Sequence, residues 1–185
     1  MPTDTLPALI ALPDHARQIW TLKQRPSEKP LILMAANAEA LLALVRPEAE
    51  AAARPLAQLH WPGALTMVLP IAGDALAQSW LRALNPGATT LGLRVPACAQ
   101  ARQLLARTGP LATTSANPSG DAAALTAAQA HRYFPDLPLL GPTPWPAPQG
   151  LASTVLAWHD GGSWQTLRAG AVMPAGVDPS PPCSG

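Results

Sequence analysis

The 185-residue sequence has little charge of either sign and no long apolar run. Its 12 basic and 11 acidic residues give a formal net charge of +1, so overall charge does not favour a nucleic-acid scaffold or an anionic membrane surface. Apolar stretches such as Leu31 to Ala36 fall far short of the roughly 20 residues that span a bilayer. We therefore expect a soluble protein of one compact domain without a membrane segment.

Cysteine and the common glycine-rich phosphate motifs are also scarce. The two cysteines, Cys98 and Cys183, cannot build a disulfide framework, and the four histidines lack metal-ligand spacing. The chain has neither G-x-G-x-x-G nor G-x-x-x-x-G-K-[ST], which excludes a Rossmann or P-loop phosphate site. The segment Met1 to Thr5 lacks the basic start of a secretory signal. These features predict a cytoplasmic protein without a protein-ligated metal.

Apolar segments of strand length alternate with segments of helical period along the chain, which predicts an α/β fold. Strands are predicted over 31–34, 65–69, 90–95, 111–115, 153–158 and 164–168, and helices over 15–22, 38–45, 48–60, 74–84, 97–108 and 127–134. Asp14, Asn37 and Thr126 with Gln129 are predicted N-terminal caps. A proline-rich surface loop is expected over 135–150, and a disordered tail over 174–185.

Four segments place hydroxyl groups or cations near predicted strand ends, where α/β proteins bind ligands. They are 3–5, 23–29, 113–117, and 153–154 together with Arg168. The second segment contains both lysines of the chain, Lys23 and Lys29. Together the four suit a compact anionic ligand such as a nucleotide phosphate or a carboxylate. Singly, each also fits a turn in which Ser or Thr bonds its own backbone.

Seven motifs occur in the order found in the YrdC/TsaC family, and the chain resembles that family over residues 2–172. They are Pro2-Thr3-Asp4-Thr5, Lys23-Gln24-Arg25-Pro26 with Lys29-Pro30, Trp61-Pro62-Gly63-Ala64-Leu65-Thr66, Arg94-Val95-Pro96, Thr114-Ser115-Ala116-Asn117, Ser153-Thr154-Val155 and Leu167-Arg168-Ala169-Gly170. The Pro-Ala-Leu sequence after Thr5 is similar to a form found in cyanobacterial relatives. The resemblance implies a single YrdC-like domain over 1–173, with a twisted mixed β-sheet flanked by helices and a substrate cleft at strand ends.

The resemblance also implies an activity, L-threonylcarbamoyladenylate synthesis by a nucleotidyltransferase. L-threonine, bicarbonate and ATP would give threonylcarbamoyl-AMP and pyrophosphate, for threonylcarbamoyladenosine modification of tRNA. Mg²⁺ would accompany ATP through its phosphates. A tRNA threonylcarbamoyl-transferase complex would receive the product.

Residue roles follow from the resemblance, position by position. It implies catalytic roles for Lys23 and Arg25. It implies threonine binding by Thr5, Arg94, Thr113 and Ser153. It implies nucleotide binding by Arg25, Lys29, Thr90, Ser115, Asn117 and Arg168, with Asn117 bracing its loop.

Three departures from the family keep two alternatives open. Met34 stands where some members have histidine, and Ala123 where some have serine. The helix and strand that precede the Pro2 motif in the family are lacking, so we expect a sheet neighbour without its partner. The first alternative is a paralogue of the YciO kind with little synthase activity. The second is a non-catalytic RNA-binding YrdC-like module with weak RNA affinity, against which the low net charge counts.

Overall fold

A computed structural model describes residues 1–26 and 28–179, and these form one continuous sheet of seven strands. The strands are β1 Ala8–Ala11, β2 Ile32–Met34, β3 Leu65–Pro70, β4 Thr90–Arg94, β5 Leu111–Ser115, β6 Thr154–His159 and β7 Ser163–Arg168. Their order is β1-β5-β2-β4-β3-β6-β7. The β2–β4 and β3–β6 pairs are parallel and the other pairs antiparallel. The predicted mixed sheet is therefore confirmed.

Six α-helices flank this sheet within the described ranges. They are α1 Arg17–Lys23, α2 Ala38–Leu42, α3 Pro47–His60, α4 Ala75–Leu84, α5 Ala99–Thr108 and α6 Ala127–Tyr133. The predicted cap at Asn37 is confirmed, because its Oδ1 accepts a hydrogen bond from the Ala40 amide at 3.0 Å. Thr126 and Gln129 form the predicted capping box. Asp14 is not a cap, because Pro13 starts a 3-10 turn that contains Asp14, and α1 begins only after it.

Strand β1 was not predicted from the sequence. Its four residues, Ala8–Ala11, are uniformly apolar, so they show no alternation of polar and apolar positions. They become a strand by pairing antiparallel with β5, which places Ala8 opposite Ser115. Long-range pairing thus decides a conformation that the local pattern leaves open.

The two faces of the central strands differ sharply in composition. One face carries a row of fully buried residues that pair across five strands, namely Ala112, Leu33, Leu93, Met67 and Leu156. Apolar side chains of α1, α2, α3 and α4 belong to the same core cluster. Burial of this row together with the helix side chains stabilises that side of the sheet. The opposite face mixes apolar residues such as Ile32 and Met34 with small or polar residues such as Gly92, Arg94 and Thr113, and the cleft lies there.

The proline-rich segment 135–150 contains no regular secondary structure, as predicted for a surface loop. Its Trp145 side chain is nevertheless buried and donates through Nε1 to the Leu140 carbonyl at 2.8 Å. At its end, the Gln149 amide donates to the Asp4 carbonyl at 3.0 Å and the Gly150 amide to the Thr5 carbonyl at 3.2 Å. These bonds fasten the loop to the N-terminal motif.

The predicted disordered tail lies partly outside the described residues, which end at 179, and Cys183 lies there too. Within the described part of that segment, Val177 packs against the main core and the Asp178 carbonyl accepts a hydrogen bond from Thr166. No helix in the described ranges is long and apolar enough to cross a membrane.

Candidate functional site

One cleft gathers most of the residues that the sequence singled out. Its lining includes seven of them, namely Thr5, Arg25, Arg94, Thr113, Ser115, Ser153 and Arg168. The cleft extends from the predicted strand ends onto the sheet face, where Ile32 and Met34 of β2 also line it. Gly92 lies opposite Ile32 on this face, and a Cβ there would lie 3.3 Å from Ile32 Cγ1. A side chain at position 92 would therefore crowd Ile32, which lines the cleft.

Arg94 lies at the end of β4 and is anchored at three points. Its Nε donates to the Gly63 carbonyl at 2.9 Å, its Nη1 to Thr5 Oγ1 at 2.7 Å and its Nη2 to Asp4 Oδ2 at 2.8 Å. Burial lowers the pKa of Arg94, while the Asp4 carboxylate opposes that shift. The guanidinium stays charged, because arginine does not lose its proton in proteins. Three of its five N–H groups are used in these contacts, which leaves two for a carboxylate.

Arg168 lies at the end of β7 and is held against Ser153. Its Nε and Nη2 donate to the Ser153 carbonyl at 3.0 and 2.9 Å, and Nη2 also lies 3.2 Å from Ser153 Oγ. Burial lowers the pKa of Arg168. A second cation is thus fixed in the cleft wall beside a hydroxyl group.

Lys23 ends α1 and is almost completely buried, with 2% of its surface exposed. Its Nζ donates to the Ser115 carbonyl at 2.5 Å, at the end of β5. The Lys23 carbonyl accepts from the Ser119 amide at 3.3 Å, which ties the loop after β5 to the end of α1. The ammonium lies directly behind a residue that lines the cleft, although Lys23 itself is not part of the lining.

Arg25 enters the cleft, whereas Lys29 does not line it. Arg25 Nε and Nη2 donate to the carbonyls of Lys29 and Pro30 at 3.0 Å each. Burial lowers the pKa of Arg25. Lys29 contributes its carbonyl to this arrangement and has an exposed side chain. The Lys29 side chain is therefore available to a ligand at the rim of the cleft, while the Arg25 side chain is held inside the cleft.

Thr90 and Asn117 also lie outside the cleft lining. Thr90 begins β4, so it is four residues, or about 13 Å of strand, from Arg94. The predicted contact of Thr90 with the nucleotide stays a prediction. The position of Thr90, outside the cleft lining, does not favour it. Asn117 is buried and its Nδ2 donates to the carbonyls of Pro118 and Asp121 at 3.0 and 2.7 Å. That geometry fits the predicted bracing of the loop.

Sequence reasoning gave no role to Asp4 and Thr66, although both lie inside motifs of the family. Asp4 bonds Arg94 through Oδ2 and accepts from the Ala97 amide through Oδ1 at 2.9 Å. Thr66 Oγ1 lies 2.8 Å from Ser153 Oγ. The positions of Asp4 and Thr66 inside the motifs were the indication in the sequence that they have a role. The contacts themselves join residues about 90 positions apart, so no local pattern predicts them.

The acidity of Lys23 can be measured directly. Desolvation lowers the pKa of its ammonium to about 8, and repulsion from Arg25 adds to that shift. Because the chain has only two lysines, selective ¹³Cε labelling gives two lysine signals, which a Lys29→Arg variant assigns. We expect the Lys23 signal to titrate with a midpoint near pH 8. A midpoint at the ordinary lysine value of about 10.4 would contradict this environment.

Gly170 supports the wall of the cleft by close backbone approach. A Cβ at this position would lie 2.5 Å from the Ser153 carbonyl carbon and 2.5 Å from the Thr154 amide nitrogen. We expect Gly170→Ala to displace Ser153 and to lower the free energy of unfolding by about 1–3 kcal/mol, the usual cost of overpacking. Chemical denaturation measures this change. Gly73→Ala is the matched control, since no atom lies within 4 Å of a Cβ there; equal effects of the two variants would refute the close approach.

The sequence of this chain is similar to a family model and to several named proteins. The family model Sua5_yciO_yrdC, described as "Telomere recombination", matches residues 1–170. A protein of Marinobacter nauticus named threonylcarbamoyl-AMP synthase is 38% identical over 118 residues, which are 64% of this chain and 60% of that protein. A protein of Stenotrophomonas maltophilia with the same name is 39% identical over 124 residues, or 65% and 64% of the two chains. The matched region thus spans about three fifths of the length of these relatives.

Solved structures agree with this assignment. P. abyssi Sua5 complexed with L-threonine superposes with a TM-score of 0.79 and 29% identity, over 91% of this chain and 49% of that one. A double-alanine variant of P. abyssi Sua5 gives a TM-score of 0.81 at 29% identity, over 92% and 52% of the two chains. E. coli YciO shares the fold, with a TM-score of 0.74 at 21% identity, over 93% and 82%. The chain, with its seven-stranded sheet and its arginine-lined cleft, belongs to the Sua5/YciO/YrdC family.

Proposed function

We propose that this chain is an L-threonylcarbamoyladenylate synthase, an enzyme of the nucleotidyltransferase class. The observation that carries the proposal is the gathering of Arg25, Arg94 and Arg168 in one cleft with the hydroxyl groups of Thr5 and Ser153. The reaction brings a carboxylate, a carbamate and a triphosphate together. Several fixed cations in one cleft suit that ligand set.

The chemistry divides into two steps. The amine of L-threonine takes up the carbon of bicarbonate to form a carbamate, with loss of water. A carbamate oxygen then forms a bond to the α-phosphorus of ATP as the bond to the pyrophosphate oxygen breaks. No residue of the protein needs to form a covalent bond, so positioning and charge stabilisation provide the catalysis.

The named residues can share these tasks. The two free N–H groups of Arg94 would bind the threonine carboxylate in a forked arrangement. Arg25 and Arg168 would face the phosphates, and Lys29 would reach them from the rim. The Lys23 ammonium, bonded to the Ser115 carbonyl, would add positive charge behind the cleft without contacting solvent. Thr113 Oγ1 donates its proton to the Ile32 carbonyl at 3.1 Å. Its oxygen would therefore accept a hydrogen bond from a ligand.

Magnesium would enter as the partner of ATP. In the described ranges no group of three or more His, Cys, Asp or Glu side chains could hold a metal ion. The acidic residue bonded to Arg94, Asp4, already uses both carboxylate oxygens in hydrogen bonds. The donor set therefore fits an ion that is carried by the phosphates, which neutralises part of their charge.

The names of the relatives favour the synthase over the RNA-binding alternative. The structure of P. abyssi Sua5 complexed with L-threonine supports threonine as the amino-acid substrate. The product is an activated adenylate, so the proposed partner is a transferase that moves its threonylcarbamoyl group to tRNA.

The test is pyrophosphate release by the purified chain, with ATP, Mg²⁺, bicarbonate and L-threonine supplied together and then omitted one at a time. We expect release only when all substrates are present. Release that persists without threonine would indicate an ATP pyrophosphatase and overturn the proposal, as would the absence of release from the complete mixture. Detection of the threonylcarbamoyl adenylate by mass spectrometry identifies the product.

A further inference from the structure

Thr66 and Ser153 lie side by side on the cleft face of the sheet. Thr66 belongs to β3, and Ser153 immediately precedes β6, the parallel neighbour of β3. Thr66 has only 1% of its surface exposed, and Ser153 is also buried. Their hydroxyl oxygens are 2.8 Å apart. Thr66 does not line the cleft, so any effect on a ligand must act through Ser153.

The direction of the hydrogen bond between these two hydroxyls follows from counting protons. Across residues 1–26 and 28–179, Thr66 Oγ1 has one hydrogen-bond partner, Ser153 Oγ. If Ser153 donated its proton to Thr66, the proton of Thr66 would be buried without an acceptor, which costs free energy. The favourable direction is therefore from Thr66 to Ser153.

Arg168 further restricts the hydrogen bonds that the Ser153 hydroxyl can form. A guanidinium can only donate, so the 3.2 Å contact from Arg168 Nη2 makes Ser153 Oγ accept a second time. With both lone pairs of the Ser153 oxygen occupied, the remaining capacity of this hydroxyl is its own proton. Because Ser153 lines the cleft, that proton is available to a ligand bound there.

We propose that Thr66 is a positioning residue that makes the Ser153 hydroxyl a hydrogen-bond donor to an anionic oxygen of the amino-acid substrate. The inference rests on the proposed function, in which that substrate carries a carboxylate and, after reaction with bicarbonate, a carbamate. Arg168, which would face the phosphates, lies beside Ser153. Its positive charge would therefore act next to this subsite, while the Ser153 proton acts on the amino-acid substrate itself.

Thr66→Val tests this role, because valine has nearly the shape of threonine and lacks the hydroxyl. Without the Thr66 proton, Ser153 is free to turn its own proton away from the cleft. We expect kcat/KM for L-threonine, from initial rates of pyrophosphate release at saturating ATP and bicarbonate, to fall roughly tenfold, the effect of one charge-assisted hydrogen bond. The KM for ATP should stay unchanged, and Thr66→Ser should restore the wild-type value.

A double-mutant cycle with Ser153→Ala separates this role from a structural one. If Thr66 acts through Ser153, adding Thr66→Val to Ser153→Ala should cause no further loss of kcat/KM for L-threonine. An unchanged kcat/KM in Thr66→Val, an equal loss for ATP and threonine, or a full additional loss in the Ser153→Ala background would each overturn the inference while leaving the synthase proposal intact. Wild-type chain that releases no pyrophosphate would overturn the synthase proposal itself, and this inference with it.

Discussion

Lys23→Met is expected to lower kcat for pyrophosphate release by a factor on the order of 10² to 10³, the usual effect of losing a preorganised charge in a catalytic site. The ammonium of Lys23 is buried against the Ser115 carbonyl, behind the cleft wall, so solvent cannot replace its charge. Methionine keeps the length of the side chain and its packing, so the loss reports charge. Arg17→Met, an exposed cation on the same helix, is the control.

Similar loss of activity in the Lys23 and Arg17 variants would contradict this prediction, as would a Lys23→Met variant with normal kcat. Circular dichroism and thermal unfolding of both variants establish that the fold is intact. If the loss in Lys23→Met appears in kcat rather than in the KM for threonine, the charge acts on the reaction more than on binding.

As the pH rises and the Lys23 ammonium loses its proton, the stability of the protein should increase while its activity falls. The folded-state pKa of Lys23, about 8, lies below the ordinary value of 10.5, so between these values the unfolded chain binds more protons than the folded chain. The stability of the wild type relative to Lys23→Met should therefore increase from pH 8 to 10.5. Urea titrations of both proteins at several pH values measure the difference, and a relative stability that falls over this range would contradict the assigned shift.

Asp4→Asn is expected to lower the free energy of unfolding by about 3 kcal/mol, because it leaves the buried Arg94 guanidinium without its counter-charge. The side chains of Arg94 and Asp4 are 3% and 14% exposed, so water cannot replace the lost carboxylate. The guanidinium should also be held less firmly, because only its contacts with the Gly63 carbonyl and Thr5 Oγ1 remain unchanged. We expect kcat/KM for L-threonine to fall more than kcat/KM for ATP.

An exposed ion pair of the same chain provides the matched control. Asp160 pairs with Arg46 at 2.9 Å, but the two side chains are 82% and 40% exposed. Asp160→Asn should therefore change the free energy of unfolding by no more than about 1 kcal/mol. Equal shifts of the urea midpoint in the two variants would show that the Asp4–Arg94 pair has no special role.

The sequence predicts the helices and most strands because each of these depends on local periodicity. The Thr126 capping box and the Asn37 cap form as expected, since capping involves residues only three positions apart. Strand β1 escaped prediction because its conformation depends on β5, about 100 residues later. Motif order also placed Arg94 and Arg168 in one cleft.

The contacts that orient these cations could not be predicted in the same way. Asp4 and Arg94 are 90 residues apart, and Thr66 and Ser153 are 87 apart. Such pairs depend on the order of strands in the sheet, which periodicity does not specify. Thr90 is the opposite case, because the resemblance implies nucleotide binding at this position, yet Thr90 lies at the far end of its strand from Arg94.

The division of the central strands into a core face and a cleft face makes the protein unequally tolerant of insertions. Successive residues of a strand point to opposite sides, so one residue added within β2 or β4 would exchange core leucines for cleft side chains such as Met34 and Arg94. Folding and ligand binding would then fail together. Added residues in the exposed turn at Asp160 would leave both faces in place. Length variation among functional variants of this chain should therefore be concentrated in turns and largely excluded from the central strands.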